Sequence, residues 1–143
     1  MLLAKQGADV NQADNNGYTP LCVASWDDHS EVVSMLLAKQ GVDVKQADNY
    51  GRTPLLMASE NGHSDVVSML LAKQGVDVNQ AENNGSTPLY MVSQEGHSEV
   101  VSMLLAKQGV DVNQADNYGC TPLYIASQLP LRADRLLELA RAF

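Results

Sequence analysis

The groups in this 143-residue chain with the chemistry for metal binding, acid–base catalysis or thiol reactions are few: His29, His63 and His97, the acidic row Asp14, Asp48, Glu82 and Asp116, and Cys22 with Cys120. Their spacing argues against each use. The histidines recur every 34 residues, and so do the acidic residues. Groups in one slot of successive stacked helix pairs stand roughly 10 Å apart, whereas zinc ligands lie about 2 Å from the ion they share. The acidic residues likewise form a row, which defeats the close carboxylate pair of acid–base hydrolysis. They read as turn residues, and each histidine is expected to help fix the turn that it follows. Cys22 and Cys120 are almost three units apart, ~30 Å by the same spacing and far beyond the roughly 7 Å limit for bridged Cα atoms, so both are expected as free thiols. Every glycine falls at a helix end or a turn, and neither Gly-x-x-x-x-Gly-Lys nor Gly-x-Gly-x-x-Gly occurs, which leaves no phosphate cradle. The expectation is a chain with no catalytic residue, no metal, no cofactor and no small-molecule substrate.

The elements that carry these residues follow from the repeat. Thr-Pro-Leu begins at Thr19, Thr53, Thr87 and Thr121, and Val-Val-Ser-Met-Leu-Leu-Ala-Lys-Gln-Gly-Val-Asp-Val occurs unaltered at 32–44, 66–78 and 100–112. A unit of this length cannot bury its own apolar face, so neighbours must stack into one continuous core. Thr-Pro predicts the start of a short first helix, with Thr as cap and Pro in the first turn where a missing N–H is harmless. That helix runs over about 54–60 in the second unit, closed by Gly62 as its counterpart is by Gly96; Asp28 in the same slot must accept a left-handed backbone or alter the turn. The identical segment predicts a second helix, with Ser30 as N-cap, Glu31 behind it, Val32, Met35 and Leu36 on the apolar face closed by Lys39, and Gly41 as the left-handed stop. Met35, Met69 and Met103 read as core fillers. Asn15-Asn16-Gly17, Asn49-Tyr50-Gly51, Asn83-Asn84-Gly85 and Asn117-Tyr118-Gly119 read as hairpin-type turns.

Thr-Pro-Leu, Gly-His, Val-Val-x-x-Leu-Leu and Gly-Val-Asp-Val-Asn, in register over several copies, resemble the ankyrin repeat from Met1 to about Gln128. The resemblance implies an all-α, ankyrin-type helix-turn-helix solenoid with short β-hairpin-like turns between repeats. It is laid out as a partial unit at 1–18, full repeats at 19–52, 53–86 and 87–120, and a capping unit at 121–143. The unit is one residue longer than is usual in the family, and the extra residue falls near Ala38 to Gln40, so the exit of the second helix should be irregular. The family's Thr-Pro-Leu-His is Thr-Pro-Leu followed by Cys22, Leu56, Tyr90 or Tyr124 here. That His ties repeats through hydrogen bonds in the family, so stability should rest more on apolar packing. The resemblance also marks Asn11, Asn79 and Asn113, replaced once by Lys45, as a slot that asparaginyl oxygenases can hydroxylate; the alternative is an Asn side chain bonding the adjacent backbone.

Function is then expected in binding. Variation among copies clusters after the turns and along the first helices: Tyr18, Arg52, Ser86 and Cys120; Val23, Met57, Met91 and Ile125; Trp26, Glu60, Gln94 and Gln128; Asp27, Asn61, Glu95 and Leu129. In the implied fold, turns and first helices line a concave surface, the usual partner-binding face of ankyrin arrays. The candidate protein-binding residues are Tyr18, Trp26, Asp27, Tyr50, Arg52, Glu60, Asn61, Ser86, Gln94, Glu95 and Tyr118, with Trp26, Tyr18 and Tyr50 foremost, because Trp, Tyr and Arg carry much of the energy at protein interfaces. The alternative is an inert spacer within a larger scaffold.

A net charge of −8 argues against direct binding to nucleic acid or anionic membrane and for a neutral or basic protein segment. No run approaches the roughly 20 apolar residues of a membrane span, and unbridged thiols suit an intracellular, chiefly cytoplasmic, setting. Met1 to Gly7 matches Met35 to Gly41 residue for residue, so the chain is expected to begin within a repeat and to belong to a longer parent. At the other end, Ala133, Leu136, Leu137 and Ala140 predict a capping helix with Arg132, Arg135 and Arg141 outward. Leu129-Pro130 ahead of that helix is similar to boxes that recruit ubiquitin-ligase subunits, an alternative in which the array would be the substrate-recognition arm.

Overall fold

Helices of seven to nine residues are too short to hold alone, and the seven among the described residues are made stable by stacking in two layers. The computed structural model describes residues 7–128 together with 141 and 143. The first helices are α1 (Pro20–Trp26), α3 (Pro54–Glu60), α5 (Pro88–Glu95) and α7 (Pro122–Gln128), and the second helices are α2 (Ser30–Leu37), α4 (Ser64–Ala72) and α6 (Ser98–Ala106). Each first helix packs on the next first helix, each second on the next second, and α1·α2, α3·α4 and α5·α6 form hairpins. Among the described residues there is no strand. Residues 1–6 of the expected partial unit at 1–18, the Leu129-Pro130 element, and all of the expected capping helix over 133–143 but 141 and 143 lie outside the described residues.

The Thr-Pro starts behave as the sequence requires. Thr19, Thr53, Thr87 and Thr121 each accept a hydrogen bond from the backbone N–H three residues on, at 3.1 Å in every copy. Asp28 takes φ 59°, the one non-glycine left-handed residue among those described, in the slot of Gly62 and Gly96. The core runs through both layers, with Leu21, Leu55 and Leu89 of the first helices against Val33, Val67 and Val101 of the second.

Several expectations about the second helix are corrected. His29, His63 and His97 hold the N-cap position without any side-chain cap bond, and Ser30, Ser64 and Ser98 are already helical. On α2 the buried residues are Val33 and Leu37, while Val32 is 45% and Met35 66% exposed. The equivalents Val66 and Val100 are buried, because α2 and α4 respectively cover them; no second helix precedes α2 among the described residues. Met69 and Met103 are only partly buried against the core.

Nor does Gly41 stop the helix directly. The helices end at Leu37, Ala72 and Ala106, and a four-residue turn follows in which the N–H of Val42, Val76 or Val110 bonds the carbonyl of Lys39, Lys73 or Lys107. Gly41, Gly75 and Gly109 take positive φ inside that turn, which accommodates the extra residue of the unit.

Hydrogen bonds between repeats also outnumber the expectation. Cys22, Leu56 and Tyr90 are buried in the slot of the family's His, yet other side chains take over the tying. Lys73 Nζ donates to the Leu37 carbonyl and Lys107 Nζ to that of Leu71, at 2.9 and 2.8 Å, which satisfies carbonyls at the end of the preceding second helix. Asn11 Nδ2 donates to Gly41 O while its Oδ1 accepts from Asp43 N, and Asn79 does the same to Gly109 and Asp111, all at 2.8 Å. The asparagine thus reaches the next repeat and not its own adjacent backbone.

Candidate partner-binding face

The turns come first, because they place the variable residues. Asp14, Asp48 and Asp116 accept from the two backbone N–H groups two and four residues on, such as Tyr50 and Arg52 onto Asp48 Oδ1 at 2.9 Å. Consecutive turns are joined edge to edge: Asn49 N donates to Asn16 O, Asn83 N to Tyr50 O and Asn117 N to Asn84 O. A Cβ on Gly51 would stand 2.6 Å from Asn83 Oδ1, so glycine is required there both for φ 83° and for the close approach.

One turn carries an arginine, and its surroundings are unlike the others. Arg52 Nε donates to Asp48 Oδ2 at 2.8 Å, and the Asp48 side chain is wholly buried. Arg52 Nη2 donates to the Tyr18 hydroxyl, also at 2.8 Å. The guanidinium carbon lies 5.8 Å from the ring centre of Tyr18, 5.7 Å from Trp26 and 5.3 Å from Tyr50, all within cation–π range. Burial works against this cation, but Asp48 and then Tyr18 outweigh it and hold its pKa above the usual value. Beneath the guanidinium opens a cleft of about 330 Å³ lined by Tyr18, Cys22, Val23, Trp26, Arg52 and Met57. Burial pushes the Cys22 thiol up, which keeps it protonated and apolar in character.

The histidines help position this site from behind. His63 Nε2 lies 2.8 Å from the Trp26 carbonyl and His97 Nε2 3.0 Å from that of Glu60. Each pins the end of the preceding repeat's first helix, and not only the turn it follows. His29 is exposed and sits 3.9 Å from Asp27. Cys22 and Cys120 are free. Among the described residues no group of three or more His, Cys, Asp or Glu could hold a metal ion.

Two carboxylates, Glu60 and Glu82, feel the charge of Arg52. Glu60 ends α3 in the slot that Trp26 occupies on α1, and burial, then the charge of Glu82, raises its pKa, with Arg52 opposing and Glu95 adding to the rise. Burial also raises Glu82, against a hydrogen bond from Asn84 and the charge of Arg52. Glu82 stands where the other turns have Asp, and in this turn the Asn84 side chain, not the acid, accepts from Ser86 N. Further along, burial and a hydrogen bond to Asp116 push the Tyr90 hydroxyl up to about 12.

Of the residues singled out from sequence, the structure gathers Tyr18, Trp26, Tyr50 and Arg52 into one cluster with Glu60 beside it. Asp27 and Glu95 are exposed and Gln94 is half-buried, outside the cluster. Tyr118 is 88% exposed, in a turn two repeats beyond that of Tyr50. Asn61 Nδ2 bonds the Met57 carbonyl at the end of α3. Ser86 is a correction: it is 2% exposed, closed over by the turn it ends, and has no surface to offer. The sequence reading missed Asp48 as the clamp on Arg52, although Asp and Arg four apart within a single turn is a readable signal. It also missed Cys22 in the cleft wall, since a first-helix slot filled by Cys, Leu and Tyr gives no sign of facing a cavity.

Comparison with protein families matches the ankyrin repeats, in three copies, over residues 1–82 and 71–139. This chain belongs to the ankyrin repeat family, whose repeats are in general protein–protein interaction modules. A search of curated proteins finds no match. Among the described residues no helix is long and apolar enough to cross a membrane.

Proposed function

We propose that the array is a protein-interaction module that holds its partner, without catalysis, through the face built from the inter-repeat turns and first helices, centred on Tyr18, Trp26, Tyr50 and Arg52. The observation that carries this reading is the pinned guanidinium: Arg52 is fixed by Asp48 and Tyr18 among three rings, above an open cleft, while Trp26 and Tyr50 remain 40% and 63% exposed. A rigid cluster of Trp, Tyr and Arg loses little side-chain entropy when a partner covers it. The net charge of −8 favours a neutral or basic partner segment, and association should slow as salt rises toward physiological strength, where the Debye length is about 8 Å. We assign the units as 19–52, 53–86 and 87–120 with partial units at both ends, and an intracellular setting from the two free thiols.

The test is capture from a lysate of the source organism by the full chain and by Trp26→Ala and Tyr50→Ala variants, each first shown to be equally helical. Both side chains are exposed, so these changes spare the fold, whereas Arg52→Ala would strand the buried Asp48 carboxylate. Proteins held by the parent and lost by both variants support the face; identical capture by all three refutes it.

A further inference from the structure

We infer that the partner of this face is an extended segment bearing an apolar side chain and, about three residues away in either chain direction, a lysine or arginine: the apolar group enters the cleft lined by Val23, Trp26 and Met57, and the cation lies beside Glu60 and Glu82. This rests on the reading of the face given above and adds the chemistry of its occupant.

The charge inventory decides the occupant. Arg52 is the cation nearest the cleft, and its charge is already balanced: its Nε serves Asp48, and one Nη2 proton serves Tyr18. The Arg52–Asp48 pair is neutral as a unit. Glu60 and Glu82 are half-buried, form no ion pair among the described residues, and sit at raised pKa because burial and neighbouring carboxylates penalise their charge. Asp48 shows that the slot of Glu82 can hold a fully satisfied acid; Glu82 takes a hydrogen bond from the Asn84 side chain but has no ion-pair partner of the kind Asp48 has in Arg52. A partner carboxylate approaching Arg52 would meet this negative pair, whereas a partner cation relieves it. The cleft walls supply the other half, since Val23 and Trp26 present carbon and aromatic surface, with the buried Met57 behind them, to a side chain with no charge to satisfy. Equivalent slots of adjacent repeats lie roughly 10 Å apart, which an extended chain covers in about three residues.

The experiment is selection of peptides from a random display library on the immobilised full chain, followed by titration of the selected sequences as synthetic peptides against the parent, Trp26→Ala and Glu60→Gln/Glu82→Gln. The double Gln variant removes repulsion within the folded chain, so it keeps its fold. The inference expects an apolar residue with Lys or Arg about three residues to either side of it in the selected set, loss of binding to Trp26→Ala, and roughly tenfold weaker binding to the double Gln variant. Peptides that depend on Trp26 but are acidic, or are indifferent to the double Gln change, overturn the inference and leave the face standing. Failure to select any peptide, or peptides indifferent to Trp26→Ala, overturns both.

Discussion

Lys45 interrupts the asparagine ladder, and replacing it should make the array more stable. At the junctions on either side, Asn11 and Asn79 each make two hydrogen bonds to the following repeat, from Nδ2 to a glycine carbonyl and from a backbone N–H to Oδ1, all at 2.8 Å. Lys45, which carries no acceptor for the Asp77 N–H, makes neither bond to Gly75 and Asp77. The backbone at 45 is nonetheless set for asparagine: Lys45 N bonds Asp43 Oδ1 at 2.9 Å, as Asn11 N bonds Asp9 and Asn79 N bonds Asp77 at 2.9 and 3.0 Å. Each net hydrogen bond contributes about 0.5–1.5 kcal/mol, and these are exposed, so the lower part of that range applies and Lys45→Asn should gain about 1 kcal/mol. For a chain of this size that is a rise in melting temperature of about 3 °C. Urea denaturation followed by circular dichroism measures it, with Asn79→Lys as the mirror experiment expected to lose a similar amount. A Lys45→Asn chain no more stable than the parent, beside an Asn79→Lys chain that is weakened, would refute the equivalence of the junctions on which the estimate depends.

Three further outcomes follow from particular contacts. Gly62→Ala should cost about 2–3 kcal/mol, because a left-handed backbone penalty adds to a Cβ placed 2.7 Å from His97 Nδ1 that displaces the His97–Glu60 bond; Gly75→Ala, with nothing within 4 Å, should cost only about 1 kcal/mol, and equal losses in denaturation would show that His97 yields freely. Ser25, Ser59 and Ser93 are fully buried with hydroxyls that have no partner, so Ser59→Ala should stabilise by about 1 kcal/mol, and a loss of stability in the same assay would mean that the hydroxyl is satisfied. Glu60 is raised above its ordinary 4.5 in the folded chain, so the native state binds this proton more tightly and the group's effect on stability turns unfavourable as pH rises through that window. Glu60→Gln should therefore be more stable than the parent at neutral pH and lose that advantage below about pH 4, and a gain independent of pH would assign it to something other than charge.

The sequence made the architecture legible because repetition exposes slots. Thr-Pro fixed the helix starts, the span 54–60 of α3 matches the structure, and Asp28 was singled out as a residue that must take the left-handed region or alter the turn, of which it takes the first. What repetition hides is direction. Identity at Lys39, Lys73 and Lys107 marks scaffold, but not that the lysine of one copy serves a carbonyl of the copy before it, nor that the asparagine ladder runs to the copy after. The apolar face of α2 was misjudged for a related reason: Val32 and Val66 are the same residue in the same slot, and only the neighbouring helix makes one exposed and the other buried. The cluster at Arg52 was half-legible. Its aromatic members stood out by type, yet its clamp, Asp48, looked like every other turn acid, and Ser86 looked variable and therefore exposed when it is closed over by its own turn.

The candidate face and the weak point of the ladder fall at the same junction. Lys45 leaves the loop after α2 without its asparagine tie to the loop after α4, and it is between these same two helix pairs, α1·α2 and α3·α4, that Arg52, just ahead of α3, bonds Tyr18, just ahead of α1, and stacks against Trp26 of α1. In a solenoid, stability is nearly a sum of unit and nearest-neighbour terms, so a junction short of one tie leans on those that remain. Tyr18→Phe removes the hydroxyl that Arg52 bonds and keeps the ring, and it should cost roughly 1 kcal/mol at a junction with little to spare. Lys45→Asn acts at another point of the same interface and should restore about as much, the two effects adding because they share no partner. A partner that fills the cleft and presses on Arg52 would then stiffen this junction selectively. Hydrogen exchange should show added protection in α1 and α3 on binding and little in α6, and uniform protection along the array would break the link between the site and its junction.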